Sequence, residues 1–160
     1  MLQRNAISPT RSAMPMVLGI LAIVFAAFGL IGTAVLVLGP DEDMAKHQVT
    51  FEALGSYGTW VTVSALLSLG VFALHLTAGI LAVRYSRRAP NMLTAYAIVA
   101  LAFVILDGAL AVVLSPFDLS SLRFDDIIGP RIGLDVLALP WPIVVLVLAN
   151  LRRTREACTR

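Results

Sequence analysis

Charge is scarce in this chain. Only 14% of its 160 residues are Asp, Glu, Lys or Arg, whereas an ordinary soluble domain carries about 25%. Hydrophobic residues make up 59%, against roughly 45–50% in such a domain. A soluble globule of this length hides only about two thirds of its unfolded surface, so the surplus apolar side chains need a second solvent, and lipid supplies it. Cysteine occurs once, at Cys158, which excludes an intramolecular disulfide, a CxxC redox pair and quinone-coupled thiol chemistry. Histidine occurs twice. His47 falls in a loop and His75 in an apolar run, so bis-histidine haem ligation within one chain is excluded. No metal-ligand set, nucleophile triad or phosphate loop is present, and the sequence implies no catalytic residue and no cofactor. Lysine is also nearly absent, with Lys46 set against eleven arginines, the usage of a GC-rich bacterial genome.

Four uncharged or nearly uncharged stretches dominate what remains. They run from Ser12 to Pro40, Ala53 to Val83, Ala89 to Leu106 and Val136 to Leu151. Crossing about 30 Å of hydrocarbon takes roughly 20 residues at about 1.5 Å each, so the first two span without help. The third must carry Asp107 into the membrane to reach Ser115, and the fourth must begin near Asp135. Pro15 at a first turn, Gly39-Pro40 after helix one, Pro90-Asn91 before helix three and Ser115-Pro116 after it punctuate the runs accordingly. The expected fold is an all-α integral membrane protein, a single four-transmembrane-helix bundle. Its helices cover about 15–38, 60–83, 91–115 and 133–151, with tails at 1–14 and 152–160. Pro140 and Pro142 flank Trp141 and predict a bend in the fourth helix. Met14 to Leu38 has a longer apolar core than a signal peptide and no clear cleavage site, so it reads as a retained anchor.

Nine arginines (4, 11, 84, 87, 88, 152, 153, 155 and 160) fall on one side of these crossings, and Lys46, Arg123 and Arg131 on the other. The positive-inside rule then places both termini in the cytoplasm of a multi-pass protein of the bacterial inner (plasma) membrane. The basic residues cluster at the ends of apolar runs, which is a topology pattern and excludes a nucleic-acid stripe. Setting Ala22–Val37 against Ala97–Val112 aligns several identical residues and pairs Gly32 with Asp107, so the bundle reads either as two duplicated hairpins or as a chance likeness of Ala/Val-rich helices.

In lipid, helices associate through small residues and occasional polar contacts. Gly19, Ala22, Ala26, Gly29 and Gly32 on helix one, and Ser64, Ser68, His75 and Gly79 on helix two, form such faces; they meet either inside the bundle or across a homo-oligomer seam. The intramembrane polar candidates are Asp107, His75, Ser68 and Asp135. Ser68, Asp107 and Asp135 fall about 16 or 17 residues from the cytoplasmic ends of their helices, roughly 24 Å up, in one layer. His75 lies about 10 Å deeper toward the cytoplasm. Three of them have a structural role available: Asp135 as a helix N-cap, Asp107 as a neutral hydrogen-bond donor to Ser68 or a carbonyl that locks two helices, and His75 as a neutral imidazole bonded to a neighbouring backbone. The leading expectation is a non-enzymatic membrane module whose partners are membrane lipids and a second copy or another membrane protein. The alternative is a small proton- or cation-coupled carrier or channel using Asp107 with His75. The loop acids Asp41, Glu42 and Asp43 read as a solvated loop, and the aromatic loop residues near Tyr57 and Trp60 as interfacial.

Overall fold

The structure, a computed structural model, describes residues 12–38, 55–114, 136 and 138–159. Five helices account for nearly all of these, and no strand occurs among them. They are α1 (Met14–Leu38), α2 (Gly55–Val83), α3 (Ala89–Leu114), α4 (Pro140–Asn150) and α5 (Arg152–Thr159). The first three are long and apolar enough to cross a membrane.

Local chemistry sets the helix ends. Ser12 Oγ accepts the Met14 amide at 3.3 Å and Pro15 follows in the first turn, where its missing N–H costs nothing. α2 begins at Gly55, within the apolar run from Ala53 but five residues before the expected helix start at about 60, and stops in a Schellman turn. In that turn the Ser86 amide donates to the Leu81 carbonyl at 2.9 Å and the Tyr85 amide to that of Ala82 at 3.0 Å. Tyr85 occupies the left-handed position usually given to glycine, with φ 52. Ser86 then accepts the Arg88 amide at its hydroxyl and the Ala89 amide at its carbonyl, opening α3. α2 and α3 are thus antiparallel neighbours joined by Arg84–Arg88.

The fourth helix differs most from expectation. α4 runs from Pro140, and the described residues before it, Val136 and Ala138, are also helical; Leu139 between them and Pro140 forms a turn with helical torsions and donates its amide to the Val136 carbonyl at 3.3 Å. The cause is the pair of prolines: neither Pro140 nor Pro142 can donate to the carbonyl four residues back, so the hydrogen-bond ladder is interrupted where the sequence suggests a bend. The 11 residues of α4 cover about 16 Å, less than a bilayer core. At its far end Leu151 turns extended, with φ −63 and ψ 138. The chain then re-enters helix as α5, which packs against α1, α3 and α4 where a free tail was expected. Thr154 fixes the elbow by donating its hydroxyl to the Leu148 carbonyl at 2.8 Å.

The distribution of side chains is the reverse of a soluble protein's. The buried core is mostly alanine, including Ala22, Ala26, Ala78, Ala82, Ala97 and Ala149, while Phe28, Ile31, Ile105 and Val113 are 69%, 61%, 66% and 75% exposed. Close backbone packing inside and bulky apolar groups outside is what a lipid-solvated bundle requires. The tightest contact joins α1 to α2: a Cβ added at Gly19 would stand 2.6 Å from the Gly79 carbonyl oxygen, and one at Gly29 would overlap the Phe72 ring. The small-residue faces of α1 and α2 therefore meet inside this chain. Gly32 stands apart from them, with nothing within 4 Å of where its Cβ would be. It is exposed where its aligned counterpart Asp107 is buried, so the two half-molecules differ at that pair.

Candidate functional site

Most hydroxyls on the long helices bond back to their own backbone. Thr62, Ser64, Ser68, Thr77 and Thr94 each donate to a carbonyl three or four residues earlier, which settles them in an apolar span. A few polar side chains instead reach between helices, and these define the candidate site.

The deepest of them is His75. α2 points it along the same face as Ala78 and Ala82, and it is 1% exposed. α3 brings Tyr96 against it through the buried stripe Leu93, Tyr96, Ala97 and Ala100. The two rings stack with centroids 3.8 Å apart and planes within 5°. From α4, Trp141 donates its indole N–H to His75 Nε2 at 3.1 Å and tilts its ring against Phe25 of α1, centroids 4.6 Å apart. α2, α3 and α4 therefore converge on one imidazole, and α1 joins the cluster through Trp141. Indole nitrogen only donates, so His75 Nε2 must be an acceptor, and the neutral ring carries its proton on Nδ1.

A second contact lies two helical turns away along α2. Ser68 Oγ and Thr33 Oγ1 are 3.3 Å apart and tie α2 to α1, while the Ser68 hydroxyl also reaches the Ala65 carbonyl at 2.7 Å. Asp107 is 4% exposed on the same stripe of α3 as Tyr96, eleven residues on, or about 16 Å along the axis, and it is engaged in an interaction there. Asp135 lies outside the described residues. A third tie joins α3 to α4, where Asn150 Nδ2 donates to Thr94 Oγ1 at 3.2 Å.

Of the four candidate residues, His75 is thus placed in a bonded aromatic cluster and Ser68 in a hydroxyl pair with α1. The sequence pattern alone does not pair them with Trp141, Tyr96, Phe25 or Thr33. A signal existed for two of them, since Tyr and Trp within an apolar span each carry a polar tip that needs a partner. His75 bonds to a side chain across the bundle where a backbone partner was the simpler expectation. Among the described residues no three His, Cys, Asp or Glu side chains converge as a metal site. Comparison of the chain with protein-family models, with curated proteins and with solved structures finds no match.

Proposed function

We propose that this chain is a non-enzymatic, four-crossing membrane module of the bacterial plasma membrane that works by packing with a second copy or with another membrane protein. The observation that carries this reading is the use made of the polar groups. His75 and Trp141, Ser68 and Thr33, and Thr94 and Asn150 each join two helices, as structural ties do. α4 together with the turn before Pro140 serves as the fourth crossing, and the nine arginines keep both termini in the cytoplasm.

Cysteine labelling tests the topology, with one precaution that the fold imposes. Cys158 is 2% exposed, so slow labelling there reports burial as much as sidedness. In a Cys158→Ser background, Arg153→Cys places the thiol at an exposed position of α5. An impermeant maleimide is expected to spare it in intact cells and to modify it after permeabilisation. Prompt modification of intact cells would reject cytoplasmic termini.

The second reading, a proton- or cation-coupled carrier, is favoured by one observation, the burial of Asp107 within a span. The packing reading expects Asp107→Asn, which keeps the shape and a hydrogen-bond donor, to assemble normally and to change stability by less than about 1 kcal/mol. It also expects wild-type proteoliposomes to hold an imposed proton gradient as well as empty ones. A gradient that the wild type dissipates and Asp107→Asn preserves would assign Asp107 to transport.

A further inference from the structure

The fold gathers arginines that the sequence leaves in two separate segments. The α2–α3 turn carries Arg84, Arg87 and Arg88, and α5 carries Arg152, Arg153 and Arg155, all six exposed. Cys158 of α5 belongs to the same buried cluster as Ala82 and Ala89, which lie on either side of that turn. The two segments are therefore held at one end of the bundle.

α5 does not resemble a helix that inserts itself into a membrane. Its apolar side is only Ala157 and Cys158, with Thr154 beside them, and all three are buried against the protein. Packing holds the helix in place and leaves its arginines turned outward. Two of them are already occupied, Arg152 Nε by Glu156 Oε1 at 2.6 Å and Arg155 by the Asn150 carbonyl oxygen of its side chain at 2.5 Å. Glu156 is also the only acidic residue of the whole sequence on this side of the proposed topology, facing nine arginines. Among the described residues, no carboxylate pairs with Arg84, Arg87, Arg88 or Arg153.

We propose that the α2–α3 turn and α5 form a binding surface for anionic phospholipid headgroups of the cytoplasmic leaflet, with Arg87, Arg88 and Arg153 as the phosphate-binding side chains. Placement favours lipid over a soluble acidic protein. The turn joins two membrane-spanning helices through five residues, and α5 starts two residues after α4 ends, so these guanidinium groups sit at the depth of the headgroups. Guanidinium binds phosphate oxygens in bidentate fashion, and each cation near an anionic leaflet adds to the attraction. The proposal rests on the membrane reading above and adds the lipid class and the residues.

The test uses full-length protein in nanodiscs of phosphatidylcholine mixed with phosphatidylglycerol, followed by extraction in mild detergent and native mass spectrometry of the retained lipid. Wild type is expected to retain phosphatidylglycerol in preference to phosphatidylcholine. The Arg87→Gln/Arg88→Gln/Arg153→Gln variant, whose changes are all exposed, is expected to lose that preference by roughly tenfold or more. Equal retention of the two lipids by wild type, or a preference that survives the triple change, overturns the proposal and leaves the membrane reading intact. A loss of phosphatidylglycerol to added polyglutamate peptide would point to an acidic protein as the occupant and would also overturn it. Failure of the chain to enter nanodiscs of either lipid would sink the membrane reading and the proposal together.

Discussion

Gly19→Leu is expected to drive α1 and α2 apart and to cost about 3 kcal/mol or more, the upper part of the range for overpacking a closed contact. The reason is the identity of the atoms in the way. A Cβ at position 19 would meet the Gly79 carbonyl oxygen at 2.6 Å and the Val83 amide nitrogen at 2.7 Å, and neither can swing aside as a side chain could. The reciprocal position is nearly as tight, with the Gly19 carbonyl oxygen 2.9 Å from a Cβ at Gly79. Gly32 is the control. It lies on the same helix with an open surrounding, so Gly32→Leu should be neutral or slightly stabilising, since glycine is about 1 kcal/mol poorer than alanine in a helix. Thermal unfolding in one detergent compares the two variants. Equal melting temperatures for both would show that α1 and α2 do not cross at Gly19 and Gly79.

His75→Ala is expected to be the next most damaging change, at roughly 2–4 kcal/mol. It removes the ring that stacks on Tyr96, opens a cavity among α2, α3 and α4, and leaves the Trp141 N–H without its acceptor. Trp141→Phe narrows these contributions, because it retains an aromatic ring near Phe25 while deleting the donor together with part of the indole's volume. The cost there should be smaller than for His75→Ala, made up of the roughly 0.6 kcal/mol that an interhelical hydrogen bond contributes in a membrane and the packing lost with the smaller ring. A double-mutant cycle reads the coupling between the two residues, and Trp141 fluorescence reports the loss of its acceptor directly. If His75→Ala unfolds at the wild-type temperature, the cluster is not a structural tie, and the case for a packing module loses its main support.

The long helices were readable because each depends on local signals. The apolar runs fix α1, α2 and α3 to within a few residues, and Pro15 and Pro90 mark ends that need no tertiary context. The faces of small residues were also visible, because Gly19, Ala22, Ala26 and Gly79 recur at helical spacing. The pairing of polar groups could not be read this way. Helical rise gives the depth of Ser68 or His75 but not the rotation of its neighbours, so Thr33 and Trp141 emerge as partners only when the helices are docked. α5 was missed for a related reason. Arg152-Arg-Thr-Arg155 is explained well enough by topology, and although Thr154, Ala157 and Cys158 share one side of the helix, eight mostly polar residues contain no apolar run to mark an element.

The seat of Cys158 bears on how the oligomeric state should be measured. A thiol tucked beneath α5 cannot reach its counterpart in a neighbouring molecule while the helix stays docked. A disulfide-linked band on a non-reducing gel would therefore record molecules whose last helix had peeled away during extraction, and the stoichiometry in the bilayer must be counted by a method that does not depend on oxidation.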